Sequence, residues 1–155
     1  MDHQIQAKTT WHGLPIHIEN KAGTYREGVD PDGNRWRTQL KADYGYINGL
    51  DAVDGDYLDV FLGPNPDNAS NVYVVHQVKP GTREYDEDKC LIGFDSKKKA
   101  MKAYKGSYDR DDMIGSVEVV DVPTFLQQLR KYAKKKDKGK VTERKHKKPY
   151  HEGRV

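Results

Sequence analysis

Four aspartates, Asp51, Asp54, Asp56 and Asp59, fall within nine residues of the stretch YGYINGLDAVDGDYLDV (44–60), interleaved with apolar Leu50, Val53, Leu58 and Val60. Carboxylates crowded this closely repel one another unless something positive sits among them. Three readings compete. In the first, Asp-Gly builds a turn between YGYI and YLDVFL, and the carboxylates are only solvated. In the second the stretch is a calcium loop. An EF-hand needs acidic or amide side chains at positions 1, 3 and 5, Gly at 6 and Glu at 12, whereas counting from Asp51 places Val53 third, Asp56 sixth and Leu62 twelfth, so the spacing excludes it. The third is a hard-cation site for phosphate chemistry, in which carboxylates hold Mg²⁺ ions that bridge phosphate oxygens and activate a water. Alternation along an extended chain puts Asp54 and Asp56 on one side, and Asp59 joins them only if the chain bends, as Gly55 permits.

Elements able to position such a site can be read on either side. LPIHIE (14–19) alternates apolar and polar residues as a half-buried strand does, and PDGN (31–34) is a turn that leads into a second strand, RWRTQL. Further strands are expected at YLDVFL (57–62), VYVVHQVK (72–79), KCLIGF (89–94) and SVEVVDV (116–122), each bounded by Gly, Pro, Asn or Asp clusters. Ser96 is placed to cap a helix through SKKKAMKAYKGSY, with Ala100, Ala103 and Tyr104 on one face. PTFLQQLRKYAKK (123–135) opens with Pro and gathers Phe125, Leu126 and Leu129 on another helical face. Strands come early and helices late, so the expected class is α+β: a small antiparallel, OB-like β-barrel or strongly bent sheet of about five to six strands, packed by one or two C-terminal helices.

A chain of 155 residues with 35% hydrophobic content can build one core, not two. Three segments are expected: an N-terminal extension (1–13), a folded domain (14–133) and a basic tail (134–155). Residues 131–155 carry 11 Lys or Arg against 3 Asp or Glu, a net of +8, which leaves −5 for residues 1–130. The tail is almost without apolar residues, should be disordered in isolation, and offers at most a weak contact with nucleic acid. No window has the apolar length of a membrane span, and MDHQIQAKTTWHG lacks the flank and apolar stretch of a secretory signal, so a cytoplasmic protein without membrane contact is expected. The one cysteine, Cys90, reads as a small core residue. The six histidines show no zinc spacing, and no Walker-type Gly loop is present.

The order Tyr-Gly-Tyr-Ile-Asn, then Asp-Gly-Asp, two residues, Asp and Val, resembles the core signature of soluble, family I inorganic pyrophosphatases, including the distance from Tyr44 to Asp54. Glu19 upstream of Tyr25, Arg26 and Glu27, the segment YDEDK (85–89), and the pair Tyr104–Lys105 are similar to further segments of that family. FLGPNP and GFDS resemble the compact pyrophosphatase-like domains carried by phages and mobile elements, and the likeness spans roughly residues 14–130. The resemblance implies Mg²⁺-dependent hydrolysis of pyrophosphate. It implies Asp54 and Asp59 as primary metal ligands, and Asp56 as a metal-side group that takes the proton of the attacking water. Glu19 would join the acidic set, and Glu87 or a neighbour, Asp86 or Asp88, would hold further metal. Tyr44, Arg26, Lys89, Tyr104 and Lys105 would contact phosphate or orient a ligand carboxylate. Two departures bear on one metal site: Tyr57 stands where the family has Pro or Glu, and Thr82 where it has Asp. Arg26 replaces a Lys, keeping the charge but changing reach and geometry. The competing functions are another metal-dependent phosphohydrolase acting on nucleotides or nucleic acid, and a binding module with an eroded pyrophosphatase-like site.

Overall fold

The computed structural model describes residues 5–51, 57–108 and 110–135. In chain order these residues form β1 (Ala7–Trp11), β2 (Leu14–Asn20), β3 (Tyr25–Val29), β4 (Arg35–Gln39), β5 (Asp43–Asp51), β6 (Tyr57–Leu62), β7 (Asn71–Val78), β8 (Tyr85–Ile92), α1 (Lys97–Gly106), β9 (Ile114–Asp121) and α2 (Val122–Lys135). Asp54, Asp56 and the tail from residue 136 onward lie outside the described residues.

The molecule is α+β, with a seven-stranded sheet in the order β1-β2-β5-β6-β8-β7-β9 and a separate β3–β4 hairpin. Three expectations are corrected. Among the described residues nine strands replace five or six, and the sheet does not close into a barrel: β1 and β9 are its two edges. Nor is it wholly antiparallel, because β6 and β8 run parallel. The additional strands are β1, β3 and β5. AKTTW and YREGV are too polar to announce themselves: three of five residues are exposed in each. Residues 7–11, inside the stretch read as an extension, pair with β2, and Trp11 is buried.

Alternation along the strands divides the core between two faces. Ile16, Ile18, Ile47, Val60, Val74 and Cys90 turn to one face, where Phe125 and Leu129 of α2 cover them. Phe61, Tyr73, Val75 and Leu91 turn to the other, beneath Ala100 and Tyr104 of α1. With both faces covered, every residue from Val72 to Val78 is buried, which is why β7 reads as a nearly continuous apolar run. A flat sheet of seven strands would separate its edges by about 29 Å. Yet Trp11 of edge strand β1 lies 5.9 Å from Phe125, four residues beyond edge strand β9, so the sheet must curl around this core. Both helices start where side-chain oxygens meet unpaired amides: Ser96 Oγ accepts from Lys99 N at 3.1 Å, and Asp121 Oδ1 from Thr124 N at 2.8 Å. Among the described residues no helix is long and apolar enough to cross a membrane.

One polar group is enclosed on the α2 side. His76 is fully buried, with Nδ1 2.6 Å from Asp88 Oδ1 and Nε2 2.5 Å from Glu118 Oε1, and Tyr85 OH donates to Asp88 Oδ1 at 3.0 Å. With a carboxylate at each nitrogen, both ring N–H groups donate, and the imidazolium ties β7 to its two neighbours. Burial alone would lower the pKa of His76, but the bonds from Asp88 and Glu118 outweigh it and raise the pKa. The stabilisation is therefore complete below the unfolded value of about 6.5 and is lost as pH rises through the higher folded value. His76→Leu should cost about 3 kcal/mol in urea unfolding at slightly acid pH, because the buried Asp88 and the partly exposed Glu118 both lose their cationic partner. The difference from wild type should shrink with rising pH; a constant difference would show that only packing was lost.

Candidate active site

The opposite face of the same strands carries the chemistry. In the parallel register of β6 and β8, Asp59 pairs with Lys89, and across β5 Tyr46 pairs with Asp59 and Tyr44 with Phe61. Period-two alternation then brings Tyr44, Asp59, Glu87 and Lys89 to one side of the sheet. Tyr44 OH donates to Asp59 Oδ2 at 2.9 Å, while Lys89 Nζ donates to Tyr44 OH at 2.7 Å and to Asp59 Oδ2 at 2.5 Å. Glu87 Oε2 lies 3.4 Å from the same ammonium. From the hairpin, the Arg26 guanidinium sits over the Tyr44 ring, 5.1 Å from its centroid.

Gly45 explains why a glycine stands between two tyrosines here. A Cβ at that position would lie 1.9 Å from the His17 carbonyl oxygen, so only glycine lets β5 approach β2. The adjoining bulge, where Asn20 rather than Glu19 pairs with Tyr44, leaves Glu19 as the extra, half-buried residue beside the motif.

The electrostatics follow from burial around one cation. Desolvation pulls the pKa of Lys89 down, but Tyr44, Asp59, Tyr108 and Glu87 together outweigh it, and the ammonium is held well above its ordinary value. Burial drives the Tyr44 phenol far upward despite Lys89, so it stays a neutral donor, and the working counter-charge of Lys89 is the Asp59 carboxylate. Burial also raises Glu87, with Lys89 opposing and the Asp59 charge adding to the rise. Two carboxylates sharing one ammonium are a hard-oxygen donor set with charge to spare, the kind that suits a divalent cation. Among the described residues no group of three or more His, Cys, Asp or Glu converges as metal ligands.

The remaining sequence candidates divide. Tyr104 lies on the buried face of α1, and its hydroxyl accepts from Gln77 Nε2 at 2.5 Å; burial raises its pKa, and both Lys89 and Glu87 are near enough to act on it. Its neighbour Lys105 is exposed. Asp86 is exposed at the bulge where Tyr85 pairs with Val78 and Glu87 with Gln77. Asp88, the alternative to Glu87, turns to the opposite face and is occupied by His76. Thr82 is exposed in the turn after β7, where its hydroxyl donates to Lys79 O at 2.8 Å.

Two further side chains belong to the cluster. Gln77 is a buried polar residue in a largely apolar strand, a visible signal. Tyr108 lies just beyond α1, with its ring 4.8 Å from that of Tyr104 and 6.2 Å from Phe61. Its spacing of four from Tyr104 was the only sequence signal for it.

A sequence model for the family described as Inorganic Pyrophosphatase matches residues 2–134. No curated protein matches the chain.

Proposed function

The chain belongs to the inorganic pyrophosphatase family, and on that premise we propose that it hydrolyses inorganic pyrophosphate to two phosphates with the help of Mg²⁺. The observation that carries this reading is the buried, permanently charged Lys89 ammonium between Asp59, Glu87 and the Tyr44 hydroxyl. A cation kept protonated in a partly dry site is an effective partner for phosphate oxygens, and Arg26 over Tyr44 adds a second one on the same side. Asp59 and Glu87 would hold Mg²⁺ together with Asp54 and Asp56 of the signature, with Glu19 and Asp86 as outer candidates. Mg²⁺ supplies charge neutralisation at the phosphate oxygens and makes water a stronger acid.

The residues then have separate tasks. Lys89 and Arg26 bind phosphate oxygens, and Tyr44 fixes the orientation of the Asp59 carboxylate through its 2.9 Å bond. Asp56 receives the proton of the attacking water, and Tyr104 and Lys105 border the departing phosphate.

Phosphate release from pyrophosphate, measured with Mg²⁺ and again with excess chelator, tests the reading. Metal-dependent turnover is expected. Its absence from well-folded protein at saturating Mg²⁺ and pyrophosphate would overturn the assignment.

A further inference from the structure

Beside the cluster lies an open cleft of about 580 Å³ between the β3–β4 hairpin and the segment that follows α1. Arg26 and Tyr108 line it. Both also touch residues of the Lys89 cluster, Arg26 through the Tyr44 ring and Tyr108 through Tyr104 and Phe61, so the cleft adjoins the cluster. Inorganic pyrophosphate is far too small to occupy both. The cleft has the size of a pocket for a larger organic ligand, for which about 300–1,000 Å³ is usual.

Its walls suit a planar group. Trp36, half-buried, pairs across the hairpin with Gly28, and a Cβ on Gly28 would lie 2.5 Å from Trp36 Cζ2. The missing side chain lets the indole lie against β3, with its outer part lining the cleft. Val29, 63% exposed, and Met113 add apolar surface, and Tyr108 contributes a second ring. The charges away from Arg26 argue against more phosphate: Arg110 is bound through two bonds to Asp112, at 2.6 and 2.7 Å, and Asp30 and Asp111 add negative charge to the lining. A ligand that reaches from the cluster into this cleft should therefore be anionic at one end and uncharged and aromatic at the other.

We propose that a nucleoside diphosphate binds across the two, its phosphates at Lys89 and Arg26 and its base against Trp36 and Tyr108. The inference rests on the pyrophosphate reading for the phosphate end only.

Calorimetric titration of the full chain in Mg²⁺ with methylenediphosphonate, and with adenosine α,β-methylene diphosphate, separates the two ends. The nucleoside analogue should bind about tenfold more tightly, the scale of one base stacked on an aromatic ring. It should also quench Trp36 fluorescence in a Trp11→Phe background; Trp11 is the second of the protein's two tryptophans and is buried on the opposite face. Trp36→Leu should abolish the tenfold advantage and leave methylenediphosphonate binding unchanged. Val29→Glu, at an exposed position where folding is not at stake, should reduce the advantage in the same selective way. Equal affinity of the two ligands for the wild-type protein would overturn the proposal while leaving the pyrophosphate reading intact. Equal weakening of both ligands by the cleft variants would overturn it as well. Binding of neither ligand would bring down both readings together.

Discussion

Lys89→Met should lower pyrophosphate turnover by roughly 10³-fold at saturating Mg²⁺, the upper range for removing one preorganised donor from a catalytic site. Methionine keeps the length and apolar character of the stem, so the main loss is the ammonium that bridges Asp59 and Tyr44. Stability should fall too, because the Asp59 carboxylate is left with the Tyr44 hydroxyl and the unfavourable charge of Glu87. Removing one partner of a buried pair costs about 3–5 kcal/mol, but Asp59 keeps 20% of its side chain in water, so about 2 kcal/mol is the expected loss in urea unfolding. The folded pKa of Lys89 is raised, so its contribution to stability is complete below about pH 10 and is lost only as pH rises through the higher folded value. Neither Lys89 nor the upward-shifted Tyr44 should produce an alkaline fall in activity below about pH 10. Turnover within threefold of wild type would make Lys89 a structural residue.

Asp59→Asn should have an effect of similar size by a different route. The amide removes a would-be Mg²⁺ ligand and the principal counter-charge of Lys89 together. Turnover should drop by about 10²–10³-fold, and the rise in melting temperature that Mg²⁺ gives the wild-type protein should be much reduced. Without its carboxylate partner, burial dominates Lys89 and its pKa should move downward, which chemical labelling of the amine against pH can follow. Combining Asp59→Asn with Lys89→Met should recover part of the stability lost in each single variant, since neither charge of the Asp59–Lys89 pair is then left without the other, while leaving turnover low. Additive losses of stability would mean that the 2.5 Å pair contributes little to the fold. An unchanged response to Mg²⁺ would remove Asp59 from the metal set.

Much of this site was legible along the chain. The unrelated residue types of YGYIN, DGD and DV stand at fixed distances, and such a pattern needs no tertiary information to be noticed. The two helices were equally visible, because their caps and apolar faces are local: Ser96 lies next to the helix that it caps, and Phe125 and Leu129 are one turn apart. Most of the buried strands announced themselves through β-branched runs between turn residues, but β5, in which Tyr44, Gly45, Tyr46 and Ile47 are buried, did not. Of the hairpin, the turn PDGN and the strand RWRTQL were legible, but β3 was not. That strand puts Tyr25, Glu27 and Val29 in water and only Arg26 and Gly28 partly inward, so it shows no apolar face.

What the sequence determined by itself, then, was which residues are chemically able to handle phosphate and which segments must be buried, since both are properties of residue type and short-range periodicity. Which carboxylate of YDEDK faces the site is a matter of pairing. The register of β8 against β6 and β7 turns Glu87 and Lys89 toward Asp59 and sends Asp88 through the sheet to His76, and no local propensity distinguishes the two. Register is set by the apolar residues that must fill both faces, and a shift of one residue would exchange every side chain between them. The tertiary structure likewise decided that Arg26, Trp36 and Tyr108, drawn from segments far apart in the chain, share a cleft beside Lys89. Their adjacency comes from a hairpin and a helix end packing against the same face of one curled sheet, and such long-range contacts leave no periodic trace in the sequence.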